Sequence, residues 1–195
     1  MTKSSALDCE LKAAAIQTIY TRYPPKSNWI HIYTDGSKML DNVGVGVYSE
    51  LFAFYATLGQ LRTNFNGELE AIRIATEQIR VRSVQIDNIV IFSDSLSAIQ
   101  AIAAHNVAES NIIDSCRRNI NLLASEGRTV VLQWIPSHVG INGNEWADTL
   151  AKRGTDILQA GNAKVPFSSI RRIIKNIVKK SYDANIVEEI KNKKW

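Results

Sequence analysis

The sequence predicts an α/β fold: a mixed five-stranded sheet flanked by helices, with a helical extension at each end. Two observations predict it. Five short runs rich in β-branched and aromatic residues read as strands, three of them consecutive and two set among helical patterns. Short connections make the first three antiparallel neighbours, whereas strands reached across helices require parallel crossovers.

Taken in order, Leu11, Ala15 and Ile19 share one face and predict a helix over residues 7–22. Tyr23-Pro24-Pro25-Lys26-Ser27 breaks it and reads as a linker. Trp29 to Asp35 alternates as a strand with Ile30 and Ile32 on one face, and strand-like runs follow at Val43 to Tyr48 and Leu51 to Leu58. Residues 66–80 form a helix whose stripe is Leu69, Ile72, Thr76 and Ile79, with Asn66 as its expected cap. A strand over 88–93 leads to a helix capped by Asp94 or Ser95 and running to about Ala104. The next helix, 111–125, carries Ile113, Cys116, Ile120 and Leu123 on one face and is punctuated by Gly127. Strand 129–135 leads through the loop 136–143, with Pro136, Gly140 and Gly143, into a helix from Asn144 to Lys152. In the tail, Ser168 is the expected cap of a helix with Ile170, Ile173, Ile174, Ile177 and Val178 on its apolar face.

Composition sets the class. At 45% hydrophobic and 22% charged, the 195 residues have ordinary globular composition. No apolar run approaches the roughly 18–20 residues of a membrane span, and no secretory signal is expected. Cys9 and Cys116 form no CxxC pair and lack zinc-type spacing with the histidines. Cys116 reads as a buried, reduced core residue of an intracellular protein, with nucleus and cytoplasm not distinguished. The net charge of +4 is unevenly placed. Residues 1–163 carry 14 basic and 16 acidic side chains, and residues 164–195 carry 9 and 3, so the main part stands at −2 and the tail at +6.

Chemistry concentrates in four acids. Asp35 ends an alternating run in Thr34-Asp35-Gly36-Ser37, Glu68 opens a helical pattern, Asp94 ends an apolar strand, and Asp148 lies in a helix after Ser137-His138-Val139-Gly140. Strand ends and first helical turns are where an α/β fold gathers side chains into one site. Carboxylates gathered without a Lys or Arg beside them stay ionised together only around a cation, and an all-oxygen ligand set favours Mg²⁺ or Mn²⁺.

Four segments in this order, TDGS at 34–37, NFNGEL at 64–69, an apolar strand ending SDS at 93–95, and WIPSHVGINGNEWAD at 134–148, make the chain resemble a type 1 ribonuclease H domain over residues 29–154. The upstream IYTRYPP and the basic segment after the domain make it similar to the ribonuclease H regions of arthropod non-LTR retrotransposon polyproteins. The resemblance implies a ribonuclease H-like fold and endonucleolytic cleavage of the RNA strand of RNA–DNA hybrids, leaving 5′-phosphate and 3′-hydroxyl ends. It implies two Mg²⁺ ions, with Mn²⁺ able to substitute, about 3.5–4 Å apart. Asp35 would bridge them, Asp148 would share the ion that activates water, and Glu68 and Asp94 would hold the other. His138 matches a mobile-loop histidine linked to proton transfer and product departure. Gly36, Ser37, Thr63, Asn64 and Ser95 fall at substrate-facing positions: Gly36 for close phosphate approach, Asn64 for the minor groove, Thr63 near the DNA phosphate.

The implied organisation is an N-terminal helix and linker (1–28), a catalytic domain (29–154) and a basic helical extension (155–195). The implied partners are the hybrid and the reverse transcriptase part of a polyprotein, with the domain itself monomeric. The sequence departs from family members that grip the hybrid with a basic, tryptophan-rich protrusion. Here Ala103 to Ser115 is short, and its charged residues are Glu109 and Asp114. Two other readings stand beside this one: an inactive nucleic-acid-binding or structural domain retained from a retroelement, and a transposase or integrase-like nuclease. The helix at 168–180 has two readings as well. It packs its apolar face on the domain, or it adds a nucleic-acid or protein contact. Glu70 is expected to face solvent, and Trp134 and Trp146 to serve packing.

Overall fold

The computed structural model describes residues 7–25, 27–82, 87–106, 110–157 and 167–192, the last of these for backbone alone at 168 and 187–192. The expected cap Ser168, the connection at 158–166 and Glu109 lie outside the described side chains.

Among the described residues there are five strands and six helices: α1 (Asp8–Arg22), β1 (Trp29–Met39), β2 (Asn42–Ser49), β3 (Phe52–Gly59), α2 (Asn64–Val81), β4 (Asn88–Ser93), α3 (Leu96–Ala103), α4 (Asn111–Ser125), β5 (Thr129–Trp134), α5 (Asn142–Thr155) and α6 (Phe167–Asn192). The strands form one sheet in the order β3-β2-β1-β4-β5. β1 pairs antiparallel with β2, and β2 with β3, whereas β1–β4 and β4–β5 are parallel. This is the mixed sheet that the pattern of short and helical connections predicts, and it agrees with the fold that the resemblance implies.

Successive side chains of a strand point to opposite faces. On one face, Ile32, Val45, Val47, Ile89 and Ile91 pack against Leu69, Ile72, Ala75 and Ile79 of α2 and against Ile113, Cys116 and Leu123 of α4. The alternate positions serve two helices on the other face. α5 lies over β1, β2 and β3, where Gly44 and Gly46 alternate with Val45 and Val47 and leave room for its backbone. α1 covers the parallel half: Ala15, Ile19 and Tyr23 pack with Val90, Phe92, Ile135 and Ile141.

Several elements differ from expectation. β1 does not stop at Asp35. Gly36, Ser37 and Lys38 continue the ladder against Val45, Gly44 and Val43, so Asp35 projects from mid-strand opposite Gly46. The second helix starts two residues early and is capped by Thr63 rather than Asn66. The Thr63 hydroxyl accepts from the Asn66 amide while the Asn66 side chain accepts from the Thr63 amide. Glu70 is not a solvent-facing acid: both its oxygens accept from Arg73, at 2.7 and 2.9 Å. α6 runs well beyond residue 180, and its apolar positions Ile170, Ile174, Ile177 and Val178 are exposed rather than packed on the domain.

Candidate active site

Three elements converge beside the centre of the sheet. β1 brings Asp35, the first turns of α2 bring Glu68, and Asp94 stands just beyond β4, the parallel neighbour of β1. Ligand oxygens of Asp35, Glu68 and Asp94 lie within 4.8 Å of one another. They line an open cleft of about 550 Å³ together with Asp148 and His138.

Close approach of β1 and α2 makes this possible. A Cβ on Gly36 would lie 2.4 Å from the Glu68 nitrogen and 2.6 Å from the Gly67 carbonyl carbon. The missing side chain at Gly36 thus serves the protein's own backbone, which brings α2 near enough for Glu68 to reach Asp35. Asn144, which is nearly fully buried, donates from Nδ2 to Asp94 Oδ2 at 3.4 Å, and the Trp134 indole donates to the Asp94 carbonyl at 3.1 Å. Trp134 therefore fixes the backbone of an acid. Trp146, expected as packing, is 53% exposed and stacks on Tyr48.

The electrostatics are those of crowded anions. Asp35 is 7% exposed and Glu68 4%. Burial, then the carboxylates of Asp94 and Asp148, push Asp35 up to about 7, against a hydrogen bond from the Gly36 amide and the charge of Lys152. Burial, then Asp35 and Asp94, push Glu68 well above the ordinary carboxylate range. Glu68 Oε1 accepts from Asn64 Nδ2 at 3.4 Å, while Oε2 is buried without a hydrogen-bond partner. A buried orphan oxygen among anions costs about 1–3 kcal/mol or more, and a cation removes that cost.

Asp148 stands slightly apart. It lines the cleft, but its nearest potential co-ligands are His138 and Glu145, again within 4.8 Å. Its Oδ2 accepts from Lys152 Nζ at 2.5 Å, one helical turn on. The acids therefore do not gather without a cation nearby. Asp148 in turn holds the Lys152 ammonium protonated, raising its pKa.

Of the remaining expected positions, Gly36, Ser37, Asn64 and Ser95 line the cleft. Ser95 also caps α3. Thr63 is not among the lining residues, and its side chain is engaged in the cap of α2. His138 is exposed, with a left-handed backbone (φ 55°), and Gly140 follows at φ 77°. The Gly140 amide donates to Glu145 Oε1 at 3.2 Å, tying this loop to α5. Sequence reasoning passed over Lys152, Glu145 and Asn144. Helical spacing was the available signal: Asp148 has Asn144 and Lys152 four residues on either side and Glu145 three residues before it.

The sequence profile of the RNase H family matches residues 27–156. Among solved structures, the chain is similar to RNase H1 from the halophilic archaeon Halobacterium salinarum NRC-1, with 21% identity and a TM-score of 0.49, over 66% of this chain and 98% of that one. No curated protein matches it.

Proposed function

The chain belongs to the RNase H family, and on that premise we propose that it cuts the RNA strand of RNA–DNA hybrids endonucleolytically, leaving 5′-phosphate and 3′-hydroxyl ends. One observation carries the reading. Three carboxylates from three elements crowd within 4.8 Å, two of them buried and pushed toward protonation. Such an arrangement suits a divalent cation and little else.

The residues fit that group. The donors are all hard oxygens, and Glu68 Oε2 is an unpartnered buried acceptor. Asp35, Glu68 and Asp94 would hold one Mg²⁺ or Mn²⁺ ion, and Asp35 with Asp148 a second. When bound, the ions supply Lewis acidity and charge neutralisation for in-line displacement at phosphorus. The protein's own groups do the rest. Asn144 and the Trp134 indole hold Asp94 in place. Gly36, Ser37, Asn64 and Ser95 form a polar wall around the acids, suited to sugar and phosphate oxygens. The 2′-hydroxyl is what distinguishes the RNA strand there. The exposed His138 imidazole, which lines the cleft, would exchange a proton with the departing strand. Thr63 would act through the cap that positions Asn64.

The setting we infer is a retroelement related to arthropod non-LTR retrotransposons, where the domain would remove template RNA beside a reverse transcriptase. It would work as a monomer inside a cell. Among the described residues both cysteines are free thiols, which accords with a reducing compartment. No helix among them is long and apolar enough to cross a membrane.

The test is cleavage of an end-labelled hybrid in Mg²⁺ by the full chain and by Asp94→Asn. The wild type should release 5′-phosphorylated RNA fragments and leave duplex DNA intact. The variant should be slower by at least about 100-fold. An intact hybrid at low salt, or equal cutting by the variant, overturns the proposal and favours a binding-only domain.

A further inference from the structure

We propose that the basic face of α6 is a phosphate-binding arm that grips the nucleic-acid backbone outside the cleft. This rests on the hybrid-cleaving reading and names where that activity finds its grip.

The catalytic body is slightly acidic and offers little net attraction to phosphates. Residues 1–163 are net −2, although phosphate neutralisation supplies most nucleic-acid affinity. Four cations of the body are paired with its own acids: Arg73 with Glu70 and Glu77, Arg118 with Asp114, Arg128 with Glu126, and Lys152 with Asp148; Lys38 lines the cleft itself. In α6 the situation reverses. Arg171, Arg172, Lys175 and Lys179 are exposed, and no acid occurs in the chain from Arg171 to Lys180. Asp183 is the first acid beyond them, four residues after Lys179. Among the described residues none of the four cations is in an ion pair.

Their spacing makes a track. Arg171, Lys175 and Lys179 follow one i, i+4 ridge, about 6 Å apart along the axis, with Arg172 flanking it. Ile170, Ile173, Ile174 and Ile177 lie on the opposite side, so the basic face stands clear of the apolar one.

The root of the helix is at the site. Ser169 is 2% exposed and donates to Asn66 Oδ1 at 3.3 Å. That same oxygen accepts from the Thr63 amide in the cap of α2. Asn64, between the two, lines the cleft and bonds Glu68. A row of four unengaged cations thus leaves the protein from the turn that presents a cleft residue. Charge complementarity selects a polyphosphate backbone over an apolar partner.

The experiment measures binding without cutting. A fluorescent hybrid of about 20 base pairs is titrated, in chelator and over a range of salt, with the full chain and with the triple variant Arg171→Gln, Lys175→Gln, Lys179→Gln. Each lost phosphate contact should lower the salt slope by about one. The variant's slope should therefore fall by about two to three, with affinity at 0.1 M salt at least tenfold weaker. Duplex DNA of equal length should respond alike, because phosphates carry no sequence. In Mg²⁺ the variant's KM should rise while its turnover at saturation holds. Ile174→Ser with Ile177→Ser, on the opposite face, should bind as wild type, and circular dichroism confirms that α6 persists in both. A wild-type slope in the triple variant overturns the arm. So does equal loss in the apolar variant, because binding would then not follow the charge of the basic face. If the slope falls as expected but the wild type never cuts the hybrid, the arm stands and the cleavage reading falls.

Discussion

Asp35 and Glu68 carry a cost that the folded protein bears whenever no cation compensates it. Burial and neighbouring anions raise both, which has a definite sign in stability. Asp35 ordinarily loses its proton near 3.8, whereas in the folded chain it holds it to about 7. Between those values the folded state binds more protons than the unfolded, so the contribution of Asp35 to metal-free stability falls as pH rises from about 4 to about 7, and Glu68, raised as well, adds a fall of the same sign. Denaturant melts in chelator should show that fall, on the order of a few kcal/mol. Asp35→Asn should flatten it and raise the midpoint at pH 8, and millimolar Mg²⁺ should do the same for the wild type. A pH-independent midpoint in chelator would mean that the acids do not interact. The Lys152 ammonium bears on the same balance, since it holds the Asp148 oxygen that a cation would need. Lys152→Met should tighten Mg²⁺ binding several-fold by calorimetry, because one competitor for Asp148 is gone; unchanged affinity would mean Asp148 plays no part in the site. The four acids were legible because each falls in a distinct local pattern. Lys152 was not, because its meaning depends on which face of α5 meets the cleft.

At the level of elements, backbone contact decides what side-chain periodicity does not show. Strand β2 reads as an apolar run with glycines, and nothing in that run says what lies above them. The structure places α5 directly on Gly44 and Gly46. A Cβ at Gly46 would sit 2.0 Å from the Ala147 carbonyl oxygen and 2.5 Å from the Ala151 nitrogen. Only backbone atoms are there to yield, so α5 itself must shift. Gly46→Ala should cost about 3 kcal/mol or more and displace Asp148 along with the helix. The checks are a lowered denaturation midpoint and weakened Mg²⁺ binding in the same variant. A midpoint within 1 °C of wild type would show that α5 is not held at that distance. The limits of β1 and α2 escaped sequence reasoning for a related reason. A Gly-Ser pair after Asp35 resembles a turn, but Gly44 and Val45 offer it ladder partners. Asn66 is a good cap in isolation, yet Thr63 forms a reciprocal pair with it and wins. Glu70 illustrates the same lesson, since two carboxylates, Glu70 and Glu77, flank Arg73 on one helix and bind it there.

For the molecule as a whole, the question is how much of the chain the cleft needs. Sequence organisation suggests a catalytic unit over 29–154, preceded by a helix and linker over 1–28. The packing argues that the unit is larger. β4 and β5 turn Val90, Phe92 and Val131 to the face opposite α2, and α5 covers only the antiparallel half. α1 covers the rest. Its last contact is the supposed linker itself: Tyr23 is buried, sets its ring edge-on to Trp29 and Phe92, donates from its hydroxyl to Gln133, and accepts from His31 through its carbonyl. Leu11, Ile19 and Tyr23 at about 1.5–3 kcal/mol each amount to roughly 5–9 kcal/mol of burial, comparable with the whole net stability of many domains. Phe92 and Ser93 also lead directly to Asp94, so the uncovered strand is the one that carries an acid of the site. A fragment spanning 29–154 should therefore unfold at markedly lower denaturant than one spanning 7–157, bind a hydrophobic dye through the uncovered strands, and hold Mg²⁺ more weakly. Equal midpoints for the two fragments would restore α1 to the status of an appendage and confine the catalytic unit to the limits that the motifs alone suggest.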